Sequence, residues 1–124
     1  EINIEQMNKA LGSILKNSIY ALLRKLQKQS FSPFITIKLE ERGNNTVFIS
    51  IYDNGIGIED SIKDKIFEPF FTTKPSAEAA GVGLYLCREV ILNHQGSILA
   101  KSEKDSYTEF LITIPISQKR INNE

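Results

Sequence analysis

The chain has 124 residues, the length of one ordinary domain, and 41% of them are hydrophobic and 24% charged, which excludes an intrinsically disordered protein. Because 15 basic residues balance 15 acidic ones, no net charge attracts nucleic acid or an anionic membrane. Cys87 is the single cysteine and cannot form an internal disulfide, so the sequence favours a reducing, cytoplasmic setting. No apolar run reaches the length of a membrane span, and we expect no membrane contact.

The first predicted element is a long amphipathic helix from about Ile4 to Lys28. Its apolar residues recur at helical spacing: Met7, Ala10, Leu11, Ile14, Leu15, Ile19, Leu22 and Leu26. Pro33 and the serines of "SFSP" end the helix because they break helical hydrogen bonding. Asn17 falls near the edge of the apolar stripe, where it is either an ordinary polar residue or a carboxamide ligand for Mg²⁺.

A hairpin follows this helix. Ile35, Ile37 and Leu39 alternate with polar residues, which predicts a half-buried strand. The "RGNN" turn joins this strand to a returning strand at residues 46–52.

The returning strand is followed by the sequence "DNGIG" at residues 53–57. An ionised Asp53 only accepts hydrogen bonds and therefore suits the exocyclic amine of a purine. Gly55 and Gly57 let the backbone lie close against a flat ring. The alternative is a loop that ends a strand and binds no ligand, since aspartate and glycine are common in turns.

The rest of the chain completes a two-layer plan. We expect a short helix at residues 60–67, a second amphipathic helix at about 82–93, and strands in "GSILAKS" and "TEFLITIPI" that turn near Asp105. This order favours the α/β class: a two-layer α/β sandwich with a mixed, mostly antiparallel sheet and helices on one face. We expect one domain at residues 1–116, cut from a longer protein, and a polar tail at residues 117–124.

The segment before the second helix reads "FEPFFTTKP" and then "AAGVGL". Its phenylalanines are assigned to the core: Phe67, Phe70 and Phe71. Lys74 is either a solvated lysine or a cation that reaches a terminal phosphate. Gly81 and Gly83 open the helix, where free backbone amides and the helix dipole suit a phosphate, or where glycine permits close packing on the sheet. A dinucleotide fold is disfavoured because its glycine loop follows the first strand.

The order of these segments resembles the ATP-binding catalytic domain of bacterial sensor histidine kinases, within the GHKL ATPase superfamily. "SILKNSIYAL" is similar to the N box, "DNGIG" to the G1 box, "IFEPFF" to the F box and "AAGVGL" to the G2 box. The resemblance covers about residues 4–115. It implies that the chain binds ATP and Mg²⁺ and supplies the γ-phosphoryl group to a histidine on an upstream dimerisation domain, in a two-component system with a response regulator.

The resemblance also implies roles for single residues. Asn17 coordinates Mg²⁺, Asp53 accepts from the adenine amine, Gly57 lines the base, and Thr108 helps to close the adenine pocket. Residues 72–80 form a short ATP lid. The implied catalytic residues are Asn17 and Lys74, and the implied ATP-binding residues are Asp53, Gly55, Gly57, Ile58, Gly81, Val82, Gly83, Leu84 and Thr108.

Four positions depart from the family pattern. Ala79 stands at the first glycine of the G2 box, Ser18 replaces a common alanine, and Tyr20 replaces a phosphate-binding Lys or Arg. Ser13 occupies the place where ATP-hydrolysing relatives carry a glutamate that activates water. These departures leave two alternatives open: a degenerate nucleotide-sensing or pseudo-kinase module, and an anti-sigma-type serine kinase.

His94 is the single histidine and follows no acidic "HE" pair, so we expect a structural role for it. The phosphoacceptor histidine is then expected upstream of Glu1, in the part of the parent protein that also dimerises. We therefore expect this chain to be monomeric and to phosphorylate nothing in itself. The sequence leaves open whether the parent is anchored in a membrane.

Overall fold

The computed structural model describes residues 2–69 and 83–116. In chain order the elements are α1 (Ile4–Lys28), β1 (Ile35–Arg42), β2 (Thr46–Asp53), a 3₁₀ helix (Asp60–Lys65), α2 (Gly83–Asn93), β3 (Ser97–Glu103) and β4 (Tyr107–Pro115). The strands form one four-stranded sheet in the order β1-β2-β4-β3, and the three pairs are antiparallel. The helices pack on one face of this sheet, which confirms the predicted fold class. Neither described α-helix is long and apolar enough to cross a membrane.

The bounds of α1 follow from its end groups. The side chain of Asn3 accepts a hydrogen bond of 3.0 Å from the N–H of Gln6 and so caps the first turn. Glu5 in the first turn and Lys28 in the last complement the helix dipole. The backbone N–H of Gln29 closes the helix on the carbonyl of Lys25. The observed span, Ile4–Lys28, is the predicted one.

The core lies between the helices and the inner face of the sheet. Its most deeply buried large side chains come from both layers: Ile14, Ile51, Ile91, Phe110 and Ile112. Phe67 packs edge-on against Phe110 with ring centroids 6.2 Å apart, as expected for a core residue. Phe70 and Phe71 lie outside the described residues.

Strand β1 is more exposed than its alternation predicts. Ile37 and Leu39 point to the same side as the buried residues of β2 but are 56% and 71% exposed. The reason is that β1 is an edge strand, and α1 packs over β2 rather than β1. The alternation in the sequence therefore identified the inward face of β1, but it did not show how little of that face α1 buries.

Candidate functional site

One inclined row along α1 faces the loop after β2 and the start of α2. The row consists of residues four apart: Ser13, Asn17, Ala21 and Lys25. The carbonyl of Ala21 accepts from Ile56 N–H at 3.1 Å, and Lys25 Nζ donates to the carbonyl of Asn54 at 3.0 Å. At the other end of the row, Ser13 lies 3.9 Å from where a Cβ on Gly83 would stand. Asn17 therefore lies between these two contacts.

The residues 54–59 that follow β2 (the post-β2 loop) are wedged between protein surfaces. A Cβ on Gly55 would stand 2.7 Å from the backbone of Ala21. Gly57 has a φ of +73°, and a Cβ there would overlap the carbonyl oxygen of Glu103. Both glycines are thus required by close packing against α1 and the β3–β4 turn, a reason different from the space for a ring that the sequence suggested. That they also line a base stays a prediction.

Asp53 ends β2 and is 1% exposed. Its Oδ1 accepts from the N–H of Gly55 at 2.9 Å, while its Oδ2 makes no hydrogen bond to another described residue. Burial raises the pKa of Asp53, and the Gly55 amide, the Ser18 hydroxyl and the Lys25 charge oppose this rise. The free Oδ2 is an acceptor available to a ligand.

Thr108 faces Asp53 across the β2–β4 ladder and is 2% exposed. Its hydroxyl lies 3.0 Å from Ser102 Oγ, which donates to the carbonyl of Tyr107 and accepts from Ile58 N–H, both at 2.7 Å. Since the one proton of Ser102 goes to Tyr107, the Thr108 hydroxyl must be the donor in their mutual bond. Ser102 was not predicted as a site residue.

Two further residues of α1 belong to this neighbourhood and were not predicted to do so. Ser18 is fully buried, and its Oγ makes no hydrogen bond. Lys25 is 8% exposed and places its Nζ 4.7 Å from the centroid of the Phe31 ring. A serine inside the apolar stripe was the sequence signal for the first, whereas the second carried no signal because lysines are normally solvated.

Asn17 is half-buried, and its side chain makes no hydrogen bond to another described residue. No group of three or more acidic, histidine or cysteine side chains in residues 2–69 and 83–116 could hold a metal ion. A lone carboxamide oxygen fits Mg²⁺, which takes few protein ligands and otherwise keeps water and phosphate oxygens. The donor set therefore suits a cation that arrives with a phosphate.

The predicted site residues divide into two groups. Asp53 and Thr108 are strand neighbours, Ile58 and Leu84 are half-buried and pack against the core, and Gly83 is the exposed first residue of α2. Three other predicted site residues and the predicted lid at residues 72–80 lie outside the described part of the chain: Lys74, Gly81 and Val82.

His94 links the ends of the two helices. Its Nε2 accepts from the N–H of Asn3 at 3.0 Å, and its Nδ1 lies 2.7 Å from the carbonyl of Val90. Nδ1 must therefore carry the proton. Both ring nitrogens bind backbone groups, in agreement with the predicted structural role.

The sequence profile of the family "Histidine kinase-, DNA gyrase B-, and HSP90-like ATPase" matches residues 3–118. The chain is 34% identical to sporulation kinase E of Bacillus subtilis (strain 168), over 96% of this chain and 15% of that protein. It is 36% identical to the signal transduction histidine-protein kinase AtoS of Escherichia coli (strain K12), over 91% of this chain and 17% of that protein. The chain thus spans about a sixth of the length of these two relatives.

Solved structures share the fold. The catalytic domain of histidine kinase ThkA, in a nucleotide-free form, superposes with a TM-score of 0.74 at 29% identity, over 92% of this chain and 69% of that one. The mycobacterial sensor histidine kinase MprB superposes with a TM-score of 0.75 over 91% of this chain and 72% of that one, and at 20% identity it shows the fold alone. The fold is that of a histidine kinase catalytic domain.

Proposed function

Because the chain belongs to the family of histidine kinase-, DNA gyrase B- and HSP90-like ATPases, we propose that it binds ATP with Mg²⁺ and donates the γ-phosphoryl group to a histidine of the same protein. The observation that carries this proposal is the Oδ2 atom of Asp53, which is buried at the end of β2 and has no hydrogen-bond partner within residues 2–69 and 83–116. A buried, unpaired carboxylate oxygen is unfavourable unless a ligand supplies a donor, and the exocyclic amine of adenine is such a donor.

We place the phosphates at the opposite end of the α1 row, where Ser13 lies close to Gly83 and Asn17 is one turn away along the helix. The first amides of α2 and its dipole suit an anion there. Gly81, Val82 and Lys74 remain predicted phosphate-binding residues and lie outside the described residues. Asn17 would hold Mg²⁺, which when bound neutralises charge on the transferred phosphoryl group.

Transfer to histidine fits the site better than hydrolysis does. Ser13 lies near Gly83 and offers a hydroxyl, which is not a general base for water. An imidazole nitrogen needs no such base, since a neutral imidazole is already a nucleophile. The protein then contributes by positioning the two reactants and stabilising charge.

A degenerate nucleotide-sensing or pseudo-kinase module is the second candidate. The hydroxyl of Tyr20 accepts from Arg24 Nη1 at 3.0 Å, and the guanidinium lies 5.7 Å from the centroid of the Tyr20 ring. An aromatic–arginine pair thus stands where the resemblance expects a cation for phosphate. Without that cation the phosphates of ATP would be bound more weakly, which favours this second candidate.

The proposal also covers the parent protein to which this chain belongs. We place it in a two-component sensor kinase whose other parts carry the phosphoacceptor histidine and form a homodimer, with a response regulator as the next acceptor. The names of the relatives support this, since AtoS is called a signal transduction histidine-protein kinase. A cytoplasmic location and a monomeric state for this chain belong to the same proposal.

Two measurements test the function. Calorimetric titration of the chain with ATP and Mg²⁺ should give saturable binding, and no heat at millimolar nucleotide would contradict the proposal. The full-length parent incubated with γ-labelled ATP should acquire an acid-labile, base-stable label on histidine. Binding without any label would favour the pseudo-kinase, and an acid-stable label on a separate substrate protein would favour the anti-sigma-type serine kinase.

A further inference from the structure

A pair of unsatisfied polar atoms lies where α1 crosses the end of β2. Ser18 Oγ and Asp53 Oδ2 are the only two buried side-chain nitrogen or oxygen atoms without a hydrogen bond that we find in residues 2–69 and 83–116. The two side chains are neighbours: Ser18 lies one turn before Ala21, whose backbone contacts Gly55, and the N–H of Gly55 donates to Asp53 Oδ1. In agreement, the Ser18 hydroxyl lowers the pKa of the Asp53 carboxyl. No hydrogen bond of ordinary geometry joins them.

In the empty protein, Ser18 makes no side-chain hydrogen bond of ordinary geometry to a described residue, although its hydroxyl opposes the rise in the pKa of Asp53. The residue is fully buried inside α1, where an unpaired hydroxyl is destabilising and where alanine is the better helix former. Alanine would also fit, since it is the smaller side chain. A bound ligand could give this hydroxyl the hydrogen-bond partner that the described residues do not supply.

The surrounding polar side chains cannot supply the proton that Ser18 can. The proton of Ser102 is committed to the carbonyl of Tyr107, and that of Thr108 to Ser102. Asp53 in its ionised form has none to give. Among these four buried side chains, Ser18 alone retains an uncommitted donor next to the free acceptor of Asp53.

We propose that Ser18 is a second base-reading residue, whose hydroxyl donates to the ring nitrogen N1 of adenine while Asp53 accepts from the amine on the adjoining carbon. This inference rests on the proposed function, because it deepens the assignment of the site to ATP. A 6-aminopurine carries a donor at its amine and an acceptor at N1, side by side, which matches one acceptor and one donor on the protein. Guanine carries an acceptor and a donor in the reverse order, so its carbonyl oxygen would face the carboxylate. The pair thus selects adenine over guanine.

The test pairs one protein change with one ligand change. ATP and 1-deaza-ATP, in which N1 is replaced by C–H, are each titrated in Mg²⁺ into the wild-type chain and into Ser18→Ala by calorimetry. We expect Ser18→Ala to weaken ATP binding by about three- to tenfold, the range for one neutral hydrogen bond. The 1-deaza ligand should bind the two proteins alike, because the hydrogen bond is absent from both complexes.

The matched control is Ser50→Ala. Ser50 is a buried serine on the outer side of the sheet, where its Oγ donates to Glu109 Oε2 at 2.6 Å. Ser50→Ala should lower the melting temperature of the empty protein and leave ATP affinity unchanged. In Ser18→Ala, by contrast, ATP binding should be weaker in a protein that still folds.

Three results would overturn the inference. One is unchanged ATP affinity in Ser18→Ala, and another is an equal loss for ATP and 1-deaza-ATP, which would mean an effect on shape rather than a bond to N1. Both leave ATP binding by the wild type intact and so spare the proposed function. Failure of the wild-type chain to bind ATP at all would overturn the proposed function and this inference together.

Discussion

Gly55 and Ala21 are in backbone contact: a Cβ on Gly55 would stand 2.7 Å from the carbonyl carbon of Ala21. The next residue, Ile56, donates its N–H to the same carbonyl group at 3.1 Å. The post-β2 loop is thus attached directly to α1. This contact and this hydrogen bond fix the position of Asp53, which precedes the loop, relative to Asn17, which lies one turn before Ala21.

This contact predicts a large penalty for Gly55→Ala. The new methyl group meets backbone rather than a movable side chain, so we expect a loss of about 1–3 kcal/mol in the free energy of unfolding, together with weaker ATP binding. Urea unfolding measures the first quantity. Gly12→Ala is the control, since nothing lies within 4 Å of a Cβ at this α1 position, and it should stabilise by about 0.5–1 kcal/mol. Equal effects of the two substitutions would contradict the packing explanation.

Lys25→Met should alter the pH dependence of ATP binding. The substitution keeps most of the side-chain volume but removes the charge that opposes the raised pKa of Asp53, so this pKa should rise further. ATP needs the ionised carboxylate as acceptor, and affinity should therefore be lost at a higher pH than in wild type. Calorimetry across a pH series measures the shift. Lys28→Met, which removes an exposed lysine 4.0 Å from Asp105, should leave the pH profile in place.

The stability of the empty protein should also report on Asp53. Burial raises its folded pKa above the usual 3.8, so from that pH upward the folded state holds a proton that the unfolded chain has released. The contribution of Asp53 to the free energy of unfolding must then fall as pH rises from 3.8 through the folded pKa, and level off above it. The difference between wild type and Asp53→Asn in urea unfolding isolates this contribution. A difference that grows in favour of wild type with rising pH would contradict the assignment.

Asn17→Ala should remove the increase in ATP affinity that Mg²⁺ provides. We expect the affinity in Mg²⁺ to fall at least about tenfold, the loss typical of even an outer-shell group of a metal site. With EDTA present, wild type and variant should bind ATP equally weakly. Asn8→Ala, an exposed residue of the same helix, is the control and should keep the full effect of Mg²⁺. A variant that loses as much affinity in EDTA as in Mg²⁺ would argue against a metal ligand.

Local patterns predicted most of the secondary structure. The helical periodicity gave α1 its observed bounds, and the alternation and turn residues gave the two hairpins. The helix expected at residues 60–67 is a shorter 3₁₀ helix at Asp60–Lys65, whose N-cap Glu59 makes no side-chain capping bond. The exposure of Leu39 could not be predicted, because it depends on which strand α1 covers.

The candidate site could be predicted only in part, because sequence patterns do not show which residues become neighbours in the fold. Asp53, Asn17 and the glycines could be proposed as site residues because each occupies a position in one of the four sequence boxes, and the family match confirms the resemblance. Ser18 and Ser102 were missed as site residues because their meaning depends on tertiary neighbours. A polar residue at an inward position of an apolar stripe was the signal present in the sequence for both.

The central claim is that the free oxygen of Asp53 receives the amine of adenine, and Asp53→Asn tests it most directly. Calorimetry with ATP and Mg²⁺ should show a loss of roughly 1.5–3 kcal/mol in binding free energy, the size of a hydrogen bond to a charged group, in a protein that still folds. Asp64→Asn, at an exposed position, should bind as wild type does. An Asp53→Asn protein with wild-type affinity would contradict the account.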